Sequence, residues 1–200
     1  WRGELRPLEH TGMVWTRVGQ TPAVSPVLPA NGPILHALEL PHLYALTHAT
    51  ENGVDHELQR LDAALNGGLR LIQLRDKTLA VDERRSFGQR VMTLARRHPG
   101  ARVLVNDDAA LAAELGADGL HLSSRRLRQT SERPNFALVG ASCHSPEELA
   151  LAATLALDFV LLSPVLPTRS HPDQAALGWD AFTQMTERLP LPVFALGGMT

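Results

Sequence analysis

From residue 43 onward, short apolar runs alternate with longer stretches whose apolar residues recur every three or four positions. The runs cover residues 43–46, 69–74, 102–105, 119–122, 136–139, 159–162 and 193–196. Each is nearly continuous in hydrophobicity and bounded by turn formers, which predicts strands buried on both faces. Between them lie amphipathic helices. Leu58, Leu61 and Leu65 share one helical face, and Gly67-Gly68 can end that helix. Phe87, Val91 and Leu94 form the next face, then Leu111 and Leu115, closed by Gly116. Ser145-Pro146-Glu147-Glu148 reads as a helix start: a capping serine, a proline in the first turn and a glutamate at the capping-box position. Trp179, Phe182 and Met185 give a last apolar face.

Strand–helix alternation means parallel strands with helices outside. Seven such strands fit a closed barrel or an open doubly wound sheet. The barrel is favoured because no Gly-x-Gly-x-x-Gly follows the first strand, and because polar residues gather at the C-terminal strand ends, where barrels place their active sites. The expected fold is therefore a TIM (β/α)8 barrel. A full barrel needs an eighth strand, and the sequence stops at Gly197-Gly198-Met199-Thr200, so the eighth strand–helix unit is expected to be absent from this chain.

Residues 1–40 read differently. They hold Pro7, Pro22, Pro26, Pro29 and Pro33 and show no long helical period. Residues 13–18 alternate and could form a short strand, and residues 21–33 read as a linker or loop. The two segments, 1–40 and 41–200, are expected to be separate domains.

Composition narrows the function classes. A 44% apolar and 20% charged chain is an ordinary globular protein. A formal net charge of −2 argues against a nucleic-acid partner. No apolar run is long enough to span a bilayer. The single cysteine, Cys143, cannot make an internal disulfide, which suits a cytoplasmic location.

The candidate chemistry sits at the strand ends. After the second strand, alternation places Gln73, Arg75 and Lys77 on one side and Leu74 on the other. Two cations and an amide at a strand mouth suit a phosphate or diphosphate; the competing reading is a solvated end with an Arg75–Asp76 pair. After the third strand, Asn106 precedes Asp107, which could hold Mg²⁺ or could simply cap the following helix. Ser142, Cys143 and His144 follow the fifth strand, Ser163 and Thr168 the sixth. Hydroxyls there could bind phosphate or a heterocycle. Cys143 and His144 are adjacent on extended chain and point apart, which argues against a thiol–imidazole pair. Gly197-Gly198 could let backbone approach a phosphate, or form a plain turn. The nine histidines show no zinc spacing.

Six segments in order carry a family resemblance: Gln73-Leu74-Arg75-Asp76-Lys77, Val105-Asn106-Asp107, Asp118-Gly119-Leu120-His121-Leu122, Gly140-Ala141-Ser142-Cys143-His144-Ser145, Ser163-Pro164-Val165-Leu166-Pro167-Thr168 and Ala195-Leu196-Gly197-Gly198-Met199. Over residues 41–200 the chain resembles the thiamine phosphate synthase and thiazole tautomerase superfamily. The resemblance implies an enzyme that joins a pyrimidine diphosphate to a thiazole phosphate and releases pyrophosphate, with Mg²⁺ as cofactor and small phosphorylated thiamine precursors as partners. It implies that Gln73, Arg75, Lys77 and Asn106 hold the diphosphate and that Asp107 binds the metal. Ser142 would lie near the pyrimidine or leaving group, with Arg75, Lys77 and Ser142 carrying catalysis. Thr168 and the Gly197-Gly198 backbone would hold the thiazole phosphate. Residues 1–40 resemble the C-terminal end of a MutT-type Nudix hydrolase, through Trp1-Arg2-Gly3-Glu4-Leu5-Arg6-Pro7-Leu8-Glu9-His10, Trp15 and residues 28–34. This implies a longer parent in which a Nudix domain, with 8-oxo-dGTP diphosphatase activity, precedes the barrel; a homodimer is also possible.

Three positions depart from the family pattern. Its second metal-binding Asp is replaced by Arg126, which cannot ligate Mg²⁺ but can pair with phosphate. Its phosphate-binding Lys is replaced by His171. The tautomerase histidine position holds Pro164, which has no proton to transfer. Three readings therefore stand: a synthase-like enzyme in which Arg126 substitutes for metal charge, a non-catalytic barrel that binds a phosphate ligand beside a Nudix domain, and a scaffold with a vestigial pocket.

Overall fold

The computed structural model describes Val14, Trp15, Leu28, residues 31–168 and residues 175–198. The chain divides into two units, residues 1–40 and 41–200. In the first unit the described backbone forms a helix, α1 (Gly32–Leu38), where the sequence suggested only linker up to residue 33. Most of the strand expected at residues 13–18 lies outside the described residues; Val14 and Trp15 are exposed and not in a strand.

The second unit runs β1 (Ala45–Leu46), α2 (Ala49–Asn52), α3 (Val54–Asn66), β2 (Leu71–Leu74), α4 (Val81–Ala95), β3 (Arg102–Asn106), α5 (Ala109–Leu115), β4 (Gly119–Leu122), α6 (Ser124–Leu127), β5 (Leu138–Cys143), α7 (Pro146–Thr154), β6 (Phe159–Leu162), α8 (Gly178–Thr186) and β7 (Val193–Ala195). The seven strands lie side by side in sequence order, every neighbouring pair parallel. A doubly wound sheet reverses its order at a switch point; this sheet never does.

The sheet also curls. β1 and β7 are its two edges, and in a flat sheet strands six places apart would be roughly 29 Å distant at about 4.8 Å each. Yet the Tyr44 ring, immediately before β1, lies 5.5 Å from the Phe194 ring on β7. The edges face each other across an interior, giving the TIM-like parallel α/β architecture.

Strand alternation sorts side chains into two shells. Ile72, Leu74, Val103, Val105, Leu120, Leu122, Val139, Ala141, Val160 and Leu162 pack with Leu61, Leu65, Phe87, Val91, Leu111 and Leu149 of the helices. Burial of each of these larger side chains contributes about 1.5–3 kcal/mol. Leu71, Leu104, Leu138, Phe159 and Leu161 are equally buried but belong to the opposite, inner face. On that face the register aligns Asn106 with His121, His121 with Gly140, and Gly140 with Phe159. A Cβ on Gly140 would lie 2.3 Å from the Phe159 ring. The missing side chain lets Phe159 turn over β5 towards Tyr44 and His121, 5.3 and 6.2 Å between centroids.

This packing also corrects the expected fifth strand. Residues 136–139 were expected, but β5 starts at Leu138 and continues through Gly140, Ser142 and Cys143. Small residues that read as a turn are strand residues thinned to accommodate a neighbouring ring. The helix after β5 starts as expected: Ser145 Oγ accepts from the Glu148 N–H at 3.4 Å. Glu148 reaches back to the His144 N–H (2.7 Å) rather than to that of Ser145. Among the described residues no helix is long and apolar enough to cross a membrane.

Candidate active site

The C-terminal strand ends collect the polar side chains. On β2 and just beyond it, Gln73 is buried, Arg75 half-buried and Lys77 exposed, a graded row from interior to mouth. Asp76, between the cations, turns away. It is buried, and accepts from the Thr47 hydroxyl and from the Thr50 N–H at 3.0 Å. Thr47 Oγ1 in turn accepts from the Arg75 N–H at 3.0 Å. Asp76 therefore fastens the end of β2 to the segment after β1, and the expected competitor, an Arg75–Asp76 pair, does not form. The Arg75 guanidinium has no hydrogen-bond or ion-pair partner among the described residues.

Gln73 and Asn106 meet inside the barrel, Gln73 Nε2 donating to Asn106 Oδ1 at 3.0 Å. Gln73 Oε1 and Asn106 Nδ2 are buried with no hydrogen-bond partner among the described residues. Leaving such an atom unsatisfied costs about 1–3 kcal/mol. The pair thus offers one acceptor and one donor to whatever enters.

Asp107 follows β3 in the left-handed region, φ 58°. Its Oδ2 accepts from Lys77 Nζ at 2.8 Å and its Oδ1 from the Ser123 N–H at 2.7 Å. Partial burial pushes its pKa up, but these two donors outweigh burial and hold it below the ordinary carboxylate value. The helix-cap role open to it in the sequence belongs to Asp108, whose Oδ1 accepts from the Leu111 N–H (2.9 Å) while Oδ2 pairs with Arg84 (2.7 Å). Asp107 is free of that duty. Lys77, Asn106, Asp107 and Arg126 line one open recess. Arg126 is exposed on α6, and its guanidinium has no ion-pair or hydrogen-bond partner among the described residues.

Ser142 lies within β5, half-buried on the inner face. Behind it sits His121, fully buried and unassigned by the sequence reading, with Nε2 2.9 Å from Ser142 Oγ and Nδ1 3.2 Å from the Tyr44 hydroxyl. Burial first, then the positive field of Arg75 and Lys77, lowers the His121 pKa to about 3, against an opposing pull from Asp107. The signal was present: Leu120 and Leu122 must face the helices, so His121 must face inward. Cys143 faces the helices, and burial with the charge of Glu148 pushes its thiol up to about 12. His144 Nδ1 lies instead 2.7 Å from the Ser163 carbonyl. There is no thiol–imidazole pair.

At the far side of the mouth, Gly197 and Gly198 take φ of 102° and 66°. A Cβ on either would lie within 2.9 Å of the segment 164–167, so these glycines are required by close packing. Leu166 N–H donates to Gly197 O at 3.1 Å, while the Gly197 and Gly198 N–H groups donate to no described acceptor. Thr168, directly after the 164–167 segment, is half-buried, and His171 lies outside the described residues.

Mg²⁺ prefers near-octahedral oxygen coordination. Here two carboxylates line the recess: both oxygens of Asp107 are engaged, one of them by an ammonium, and Asp108 is taken up by the Leu111 N–H and Arg84. Among the described residues no group of three acidic, histidine or cysteine side chains could hold a metal. The donor set does not fit a metal held by the protein alone.

Comparison with known proteins agrees with this architecture. A family model described as thiamine monophosphate synthase matches residues 43–200. The thiamine-phosphate synthase of Thioalkalivibrio sulfidiphilus is 35% identical over 161 residues, 78% of this chain and 76% of that protein. The solved thiamine phosphate pyrophosphorylase of Pyrococcus furiosus superposes with a TM-score of 0.66 at 27% identity, covering 83% of this chain and 78% of the other. The 2-keto-3-deoxy-6-phosphogluconate aldolase of Zymomonas mobilis, at 16% identity and TM-score 0.55 over 85% of this chain and 76% of its own, shares the fold alone. Through residues 43–200, the chain belongs to the thiamine monophosphate synthase family.

Proposed function

We propose that the barrel joins a pyrimidine diphosphate to a thiazole phosphate and releases pyrophosphate. The observation that carries this is the β2–β4 mouth, where unpartnered Arg75 and Arg126, Lys77 and the half-satisfied Gln73–Asn106 amides face the same end of the sheet. As the C–O bond to the diphosphate breaks, negative charge collects on the departing group. Cations fixed beforehand at that point stabilise the transition state. Arg75, Lys77 and Arg126 hold the diphosphate, Gln73 and Asn106 the deeper part of the same substrate, and Ser142 the leaving group. Thr168, His171 and the Gly197 and Gly198 N–H groups take the thiazole phosphate. Asp107 is the carboxylate through which Mg²⁺ would be drawn to a bound diphosphate, and no step here depends on it. An eighth strand between β7 and β1 would complete the barrel beside Gly198. The test is pyrophosphate release from the two substrates together. Release that falls at least about a hundredfold in Arg75→Ala supports the reading; no release with both substrates present, at any Mg²⁺ concentration, overturns it.

A second reading has its own observation, the neutralised Asp107 beside Arg126. In it the barrel binds a phosphate ligand without turnover and accompanies a Nudix domain, of which residues 1–40 are the C-terminal end. The separation of the chain at residues 40 and 41 supports a distinct N-terminal unit. Pyrophosphate binding that ignores Mg²⁺ and is lost in Arg126→Asp, with no turnover, selects this reading. Both readings take small phosphorylated precursors as ligands.

A further inference from the structure

Nothing in the chemistry above uses the two groups behind Ser142. Tyr44, His121 and Ser142 form a continuous chain from the interior to the mouth, 3.2 Å from Tyr44 Oη to His121 Nδ1 and 2.9 Å from His121 Nε2 to Ser142 Oγ. A neutral imidazole carries one N–H, so one ring nitrogen donates and the other accepts. Which one is decided by Tyr44. Its hydroxyl proton needs an acceptor, and among the described residues the hydroxyl has no hydrogen-bond partner besides His121 Nδ1, while its ring packs on those of Phe159 and Phe194. Burial holds the phenol well above its usual pKa, so the proton stays on oxygen. With Tyr44 donating to Nδ1, the ring proton lies on Nε2, which donates to Ser142 Oγ. Ser142 then receives a hydrogen bond from below, and its own hydrogen is directed away from His121.

We propose that Tyr44 is a positioning residue that locks His121 in its Nε2–H tautomer, so that Ser142 presents its hydroxyl proton to a diphosphate oxygen at the barrel mouth. The assignment rests on the proposed reading for Ser142 as a ligand contact. It also settles what Ser142 does not do. His121 Nε2 already carries a proton, so it cannot take one from Ser142, and the pair is a fixed donor rather than a base-activated nucleophile.

Nitrogen-15 labelling of the histidines in the full chain reads the tautomer directly, through long-range couplings from the ring protons. The expected His121 signature is a protonated Nε2 and a bare Nδ1; a protonated Nδ1 overturns the relay. Tyr44→Phe keeps the ring packing and removes the donor, and a growing Nδ1–H population is expected. An unchanged tautomer in that variant overturns the role of Tyr44. Calorimetric titration with pyrophosphate supplies the second readout. Ser142→Ala and Tyr44→Phe should each weaken binding about fivefold, and the double variant no more than Ser142→Ala alone. The expected tautomer combined with undiminished binding in Ser142→Ala would instead remove Ser142 from the ligand, which overturns the reading of the site rather than the relay.

Discussion

At the N-terminal ends of the strands, Asp118 and Asp158 are saturated. Asp118 accepts from the Val103 N–H (2.8 Å) and Arg96 (3.0 Å), and Asp158 from the Val139 N–H (2.6 Å) and Arg133 (2.8 Å). At the C-terminal ends several polar groups stand open: among the described residues Arg75 and Arg126 have no carboxylate, and Gln73 Oε1 and Asn106 Nδ2 no hydrogen-bond partner. One end of the sheet spends its polar groups on the fold and the other keeps them for a ligand.

The contrast can be broken from either end. The largest effect is expected at the closed end, where Asp158→Ala leaves the Val139 N–H and Arg133 without their shared acceptor. Urea denaturation should show a loss of about 3 kcal/mol, with pyrophosphate binding retained by the folded fraction. Between the ends, Gly140→Ala drives a methyl into the Phe159 ring and should cost about 2 kcal/mol. Phe159→Leu in the same chain should recover part of that loss, seen as a partial return of the melting temperature. Acid acts through His121. Its folded pKa, about 3, lies below the unfolded value near 6.5, so the unfolded chain takes up a proton that the folded one refuses. Stability from the neutral ring is complete above pH 6.5 and is lost as pH falls towards 3. From pH 7 to 5 the loss is about 2 kcal/mol, and His121→Gln should flatten it. An equally steep profile in that variant would assign acid sensitivity to other groups. The smallest stability effect is expected at the open end. Arg126→Ala should shift unfolding by no more than about 0.5 kcal/mol while weakening pyrophosphate binding.

The apolar rhythm made the parallel strands and the helices legible, because burial on both faces leaves continuous runs such as Phe159–Leu162. The boundary of β5 was not, because Gly140 and Ser142 answer to a ring on the next strand, which local sequence does not display. At the site, alternation put Gln73 and Leu74 on opposite sides, and in the structure Leu74 packs against the helices while Gln73 meets Asn106 in the interior. It could not distinguish Asp107 from Asp108 as the helix cap, since adjacent aspartates differ only in backbone torsion, and the φ of Asp107 is a tertiary outcome. The pairing of Tyr44 with His121 was hidden for the opposite reason, although alternation alone turns His121 inward. Each sits in an apolar run and reads as a core residue, and their pairing spans 77 positions of chain. Arg126 gained meaning only against the family pattern, as an arginine where a carboxylate was expected.

Strands in sequence order make the second unit a line of βα units, each bonded to the one before and the one after. Such an array alone would fray from both ends, with stability summed over nearest neighbours. The ring contact of Tyr44 with Phe194 joins the first unit of that line to the last, across 150 positions. It is the slowest kind of contact to form, since every intervening strand must be in place before the two rings can meet. The same tyrosine ends the hydrogen-bonded chain to Ser142, so orientation of that hydroxyl waits on the two ends of the line coming together. A nascent or partly frayed barrel would then own the cations of the mouth but lack an oriented serine.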